Sequence, residues 1–196
     1  DSIYIDKDAV GQGVGKALLP ALIEHCTAAG KRQMVAVIGA SARPGRMGTT
    51  AWRNLRGGTY KGQVHAVNPK YRRLDGQSVY ARIADLPQAP DLALICTPAA
   101  SVPGVVAELG ARGTRAVVVL SSGLDSSQRQ AMLDAARPHL LRILGPGCIG
   151  LLAPHIGMNA SLAHTDAAAG ELALVSQSRS LVSAMLDWAR ARQIGF

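Results

Sequence analysis

Short apolar runs of Val, Ile, Leu and Ala alternate along this chain with stretches whose apolar residues recur every three or four positions, and turn residues separate the two kinds. The runs "QMVAVI", "QVHAV", "LALIC", "AVVVL", "LRIL" and "LALV" predict strands at 33–38, 63–67, 92–96, 116–120, 141–144 and 172–175, and "SIYI" adds one at 2–5. Helical spacing predicts helices at 14–29, 47–55, 102–112, 126–136 and 180–192. From residue 33 the order is β-α-β-β-α-β-α-β, or β-α throughout if "YARIADLP" supplies a helical turn. Strands that are apolar at consecutive positions are buried on both faces, as in a parallel sheet covered by helices. Right-handed crossovers then give an α/β, Rossmann-like, doubly wound sheet with the 33–38 strand at its centre. Its ligand would lie beyond the C-terminal ends of the strands.

The loops at those ends read "GASARPGRMG", "NPKYRRLDG", "TPAASVP", "SSGLDSS" and "GPGCIG". Such Gly- and Ser-rich turns bring backbone N–H groups close to an anion. After Gly150 the composition changes. "LLAPHIGMNASLAHTDAAAGE" reads as a long irregular link, and the strand and helix beyond it read as the start of another sheet. The expected division is 1–32, 33–150 and 151–196, with a boundary near Leu151.

Composition narrows the partners. The 196 residues are 48% hydrophobic, with 21 Gly but only two Trp, four Tyr and one Phe, which suits an α/β core. A formal charge of +8 favours an anionic partner. The basic residues are dispersed, without the run or interleaved aromatics of a nucleic-acid arm, so nucleic acid is not expected. Cys26, Cys96 and Cys148 lack C-x-x-C spacing, which fits a reduced, cytoplasmic protein and no metal. No apolar stretch is long enough for a membrane span. The chain begins "DSIYID" and stops just after a helical pattern, and reads as a fragment, a natural fusion or a chimera.

Gly39, Gly45 and Gly48 follow the 33–38 strand, but not with the G-x-G-x-x-G spacing of the common dinucleotide fingerprint. An NAD site also wants a carboxylate at the end of the second strand, where this chain has Val67-Asn68-Pro69-Lys70. Lys70 and Arg43 suit phosphate instead, as in a nucleotide with an extra ribose phosphate. An NAD(P)-binding Rossmann protein stays open as one alternative.

"VAVIGASARPGRMG", "VHAVNPKY", "DLALICTPAASVPGVVAELGARGTRAVVVLSSG", "LRILGPGCIGLLAP" and "GELALVSQSRSLVSAMLDWA" together resemble the CoA-binding region of NDP-forming acyl-CoA synthetases, relatives of the succinyl-CoA synthetase alpha subunit. The resemblance covers about residues 35–196 and implies a domain that holds CoA or acyl-CoA. It implies that Gly39, Ala40, Ser41, Arg43 and Pro44 cradle phosphate, and that Asn68, Pro69 and Lys70 sit over the adenosine part. Cys96, Thr97, Pro98 and Ala99 would border the pantetheine path, with Ser121, Ser122 and Gly123 lining the next strand end. Two positions depart from the family pattern. Gly147 stands where the family usually has Asn in "GPNC", and Arg179 where it usually has Gly in "SQSG". The family's phosphorylated histidine lies beyond the matched residues, and its ATP-grasp module would come from a partner subunit or domain. None of His25, His65, His139, His155 and His164 falls in a matching motif, and Cys148 has no identifiable base. A catalytically incomplete ligase module is the expectation, with catalytic residues unassigned.

Upstream, "SIYIDKDAVGQGVGKALLPALIEHCTAAGKRQMVAVIG" resembles the acetyl-CoA-binding core of GNAT acetyltransferases of the phosphinothricin-acetyltransferase type. That resemblance implies a pyrophosphate turn at Gly11, Gly13 and Gly15, and N-acetyl transfer as the other alternative. Both resemblances meet in "VAVIG", so the chain reads as a junction at that strand.

Overall fold

Five consecutive buried side chains, Met34–Ile38, form strand β1 in the middle of a seven-stranded sheet. The computed structural model describes residues 34–196. The expected strand at 2–5, the helix at 14–29, Cys26, His25 and the turn Gly11, Gly13 and Gly15 lie outside the described residues.

After β1 come helix α1 (Met47–Gly57), β2 (Gln63–Val67), β3 (Arg73–Leu74), β4 (Gln77–Tyr80), β5 (Leu92–Ile95) and helix α2 (Val102–Ala111). Then follow β6 (Ala116–Val119), helix α3 (Ser126–Ala136), β7 (Arg142–Leu144), the pair β8 (Gly150–Ala153) and β9 (Met158–Ser161), and helix α4 (Arg179–Ala191). The large sheet has the order β3-β4-β2-β1-β5-β6-β7. All of its pairings are parallel except the short β3–β4 hairpin. The strand order reverses at β1, between β2 on one side and β5 on the other, which is where a doubly wound sheet opens a crevice at its C-terminal edge.

The continuous apolar pattern of β1 is explained by what covers it. Met34, Ala36 and Ile38 pack with Val102, Val106 and Leu109 of α2 and Met132 and Ala136 of α3 on one face. Val35 and Val37 pack on the other with Ala51, Trp52 and Leu55 of α1 and Met158 and Ala160 of β9. The apolar positions of α1 recur on one side of the helix, and its Trp52 is fully buried with its indole N–H donating to Asp75 at 2.8 Å. Asn54 of α1 donates to the Ser161 and Ala163 carbonyls at 3.0 and 2.8 Å, which ties the helix to the β8–β9 pair.

Two expectations change here. The expected irregular link contains the antiparallel β8–β9 hairpin, turned by Pro154–Ile156 and by Gly157 at a φ of 67°. Its β9 strand was not readable as apolar because Asn159 and Ser161 are buried polar residues. They satisfy one another, the Ser161 hydroxyl donating to Asn159 Oδ1, while Asn159 Nδ2 donates to Asp166. The expected strand at 172–175 is not a strand: Leu172 and Val175 are exposed, and no ladder among the described residues pairs with them. "YARIADLP" does hold a single helical turn, Ile83–Asp85.

Candidate functional site

The loops after β1, β2, β5 and β6 meet at the C-terminal edge of the sheet and are joined by short hydrogen bonds. Gly39 N–H donates to the Val67 carbonyl at 2.8 Å, and Asn68 Nδ2 donates to the Ala40 carbonyl at 2.7 Å, which locks the first loop to the second. Cys96 N–H donates to Ile38 at 2.8 Å, and the Ser121 hydroxyl donates to the Thr97 carbonyl at 2.6 Å. Gly39, Ala40, Ser41, Arg43, Pro44, Asn68, Pro69, Lys70, Cys96, Thr97, Pro98, Ser121, Ser122 and Gly123 are all carried by these four loops.

Gly39 and Gly48 make the tightest part. Gly39 has a φ of 87°, and a side chain there would put its Cβ 2.9 Å from the Cys96 carbonyl oxygen. At Gly48, in the first turn of α1, a Cβ would lie 2.0 Å from the Gly39 carbonyl oxygen. The helix start therefore presses backbone against backbone on the first loop. Thr49 and Thr50 N–H fold back on the Arg46 carbonyl, and Met47 and Gly48 N–H have no partner among the described residues. The first turn of α1 carries no acidic residue. A helix N-terminus of this kind attracts an anion through unpaired N–H groups and the helix dipole.

Arg43, Arg46 and Lys70 are exposed around this helix start, and none has an acidic partner among the described residues. Asn68 closes a turn by accepting Lys70 N–H at 2.9 Å, so both ends of its amide hold backbone. Tyr71, which sequence reading did not single out, reaches back to the Ser41 hydroxyl at 3.3 Å. The Ser41 hydrogen bond, followed by the Ala42 amide and the charges of Arg43 and Lys70, outweighs desolvation and holds the Tyr71 phenol below its ordinary pKa. Nothing in the local pattern "NPKY" signals that contact, because it joins two loops through the fold.

Deeper in the edge, Ser121 is buried with its hydroxyl turned inward to the Thr97 and Ile95 carbonyls, so it braces two strand ends. Thr97 Oγ1 is buried with no hydrogen-bond partner among the described residues. Burial pushes the Cys96 thiol up to about 12, and burial also raises Cys148. Both thiols are therefore protonated at neutral pH, which makes them poor nucleophiles there. The charge of Arg179 acts on Cys148 in the opposite direction, so the start of α4 lies within electrostatic range of the Gly145–Cys148 loop. The two departures from the family pattern, Gly147 and Arg179, thus lie in one neighbourhood. None of His65, His139, His155 and His164 belongs to the edge loops, and no cluster of three metal-ligating side chains occurs among the described residues.

A cavity of about 670 Å³ lies elsewhere, between residues 164–168 and the C-terminal half of α4 with the tail after it. Four loops share the edge, which suits an extended ligand laid across several of them. An extended phosphorylated ligand fits the groups present: N–H groups and exposed cations without partners among the described residues, and glycines that admit close backbone approach. A ribose carboxylate partner is lacking at the end of β2, where Asn68, Pro69 and Lys70 stand.

Comparison with known proteins agrees with this chemistry. The model of a family described as "CoA binding domain" matches residues 33–154. The alpha subunit of acetate–CoA ligase [ADP-forming] I from Pyrococcus furiosus is 36% identical over 171 residues, which is 82% of this chain and 37% of that protein. The dinucleotide-forming acetyl-coenzyme A synthetase 1 of Ca. Korarchaeum cryptofilum, solved with phosphate and ADP, superposes with a TM-score of 0.78 at 32% identity, covering 83% of this chain and 36% of that one. A separate, shorter likeness, 45% identical over 51 residues and 26% of each chain, is to phosphinothricin N-acetyltransferase from Alcaligenes faecalis. The chain spans about a quarter to two fifths of the length of the ligases it matches. No helix among the described residues is long and apolar enough to cross a membrane.

Proposed function

The chain belongs to the CoA binding domain family, and from that premise we propose that it is the CoA-holding module of an ADP-forming acyl-CoA synthetase. The observation that carries the reading is the convergence, at one sheet edge, of the α1 N-terminus with Arg43, Arg46 and Lys70, all without acidic partners among the described residues. The phosphates of CoA would lie on the Gly39–Ser41 loop and the start of α1. The extra ribose phosphate would meet Lys70 or Arg43, and the pantetheine arm would run past Thr97 toward Gly123. An ATP-grasp subunit or domain would supply the nucleotide chemistry. Calorimetric titration with CoA, dephospho-CoA and NAD tests this: CoA is expected to bind most tightly, dephospho-CoA more weakly for want of the ribose phosphate, and NAD least. NAD binding equal to or tighter than that of CoA would overturn it. The acetyltransferase likeness supports a second reading for the N-terminal residues, with Gly11, Gly13 and Gly15 as a further pyrophosphate turn. Two CoA sites per chain in the same titration would carry that reading, and a single site would leave the turn without a ligand.

We further propose that residues 33–150, with the β8–β9 pair packed on them, form the coenzyme domain, and that the residues after β9 up to 196 are a linker with the first strand and helix of a second α/β domain. Val182, Leu186 and Ala189 give α4 its buried face, yet Leu181 and Trp188 form a second apolar stripe that is exposed. Phe196 N–H donates to the Ala168 carbonyl at 2.8 Å and its carbonyl accepts Gly170 N–H at 2.9 Å, the pattern of a parallel β pairing. Continued by further chain, that pairing would supply residues 172–175 with the neighbour they lack. Fusing after Phe196 the segment that follows the matched region in the Pyrococcus furiosus subunit should slow hydrogen exchange at Leu172–Val175 amides by at least about tenfold, as new ladder bonds form. Unchanged exchange there would overturn the division.

A further inference from the structure

We infer that Tyr71 is a positioning residue of the phosphate cradle, holding the Ser41 hydroxyl so that its proton is offered to a bound phosphate. The inference rests on the coenzyme reading above. Ser41 is buried, and its Oγ accepts Arg43 N–H at 3.0 Å and lies 3.3 Å from the Tyr71 hydroxyl, which belongs to the loop after the neighbouring strand. A serine hydroxyl has one proton and two acceptor sites. When Tyr71 donates, Arg43 N–H and Tyr71 O–H fill both acceptor sites, and the Ser41 proton is left for an oxygen outside the protein. In the opposite arrangement Ser41 donates to Tyr71 and has nothing to offer. A phosphate at the loop selects the first arrangement, because only then does the hydroxyl meet negative charge with its proton. Tyr71 thereby acts on the ligand through Ser41.

The donor role requires a protonated phenol. The charged groups acting on Tyr71 are Arg43, on the loop after β1, and Lys70, its neighbour on its own loop. They favour the phenolate, as do the hydrogen bonds from Ser41 and the Ala42 amide, so the phenol titrates below the ordinary value of about 10. As pH rises through that range, the donor is lost and a negative charge appears beside the phosphate. CoA affinity is therefore full at neutral pH and falls as pH rises. The CoA thiol titrates in the alkaline range too, and a variant without the phenol separates its effect from that of Tyr71.

Isothermal titration of the whole chain with CoA from pH 7 to pH 10 tests this in the parent, Tyr71→Phe, Ser41→Ala and the double variant. Tyr71→Phe should bind about fivefold more weakly at pH 7, the scale of one ordinary hydrogen bond. Its affinity should fall less steeply with pH, so that the two curves converge. Ser41→Ala should lose about as much, and the double variant no more than either single one. A Tyr71→Phe curve that superposes on the parent's at every pH, or single losses that add in the double variant, would overturn the inference while the parent's binding of CoA stands. A parent that does not bind CoA would overturn the coenzyme reading itself.

Discussion

Gly48→Ala is expected to lose most of the protein's CoA affinity and a substantial part of its stability. The added Cβ would lie 2.0 Å from the Gly39 carbonyl oxygen and 2.9 Å from its carbon, both backbone atoms that cannot swing aside as a side chain would. The start of α1 and the Gly39–Ser41 loop must separate, which moves the helix N–H groups away from the phosphate position. Overpacking of this kind costs about 3 kcal/mol, and for a chain of this size that lowers Tm by about 6–12 °C. Gly45→Ala is the control. Gly45 has a φ of 77° but nothing within 4 Å of the new Cβ, so only backbone strain of about 1 kcal/mol is expected. Thermal melts and CoA titrations of the two variants check the contrast. A Gly48→Ala protein that melts and binds like the parent would mean that the loop and helix are not in the contact described.

Replacing Arg43 and Lys70 should have the next largest effect. Each Ala variant is expected to bind CoA at least about tenfold more weakly, ~1.4 kcal/mol for each lost charge-assisted contact. The double variant should approach a hundredfold loss if the two cations meet different phosphates. Neither cation has an acidic partner among the described residues, so truncating one leaves no carboxylate stranded. Binding by the parent should weaken with added salt, and by less in the double variant. Parent-like affinity in both single variants would place the phosphates elsewhere.

The large sheet was legible before any coordinates because burial on both faces writes itself into sequence as unbroken apolar runs. The readings at 63–67 and 126–136 coincide with β2 and α3, those near β5, β6 and α2 differ by a residue at an end, and all the described residues of the reading at 33–38 are in β1. The loops were legible for a related reason: Gly, Ser and Pro cluster where a parallel strand hands the chain to a helix. The N-terminal side of the candidate site, Gly39 to Arg43 and Asn68 to Lys70, follows from those loops and from the cation that stands where a carboxylate would serve NAD.

Periodicity could not reach what depends on partners distant in the chain. Strand β9 hides behind Asn159 and Ser161, whose polarity suggests a loop until each is seen to satisfy the other. Residues 172–175 fail in the reverse direction: "LALV" has the pattern of a strand, but a strand exists only where a neighbour completes its hydrogen bonds, and none among the described residues does so. The inward turn of the Ser121 hydroxyl, the bond between Ser41 and Tyr71, and the contact of Gly48 with the Gly39 carbonyl likewise join residues that no local rule relates. The sequence by itself determined which segments are buried, their order, and the anion-seeking chemistry of their loops, because burial and turn formation are properties of neighbouring residues. The tertiary structure decided which loops touch, which hydroxyls remain available and which backbone atoms leave no room for a side chain, because those are set by strand register and helix docking.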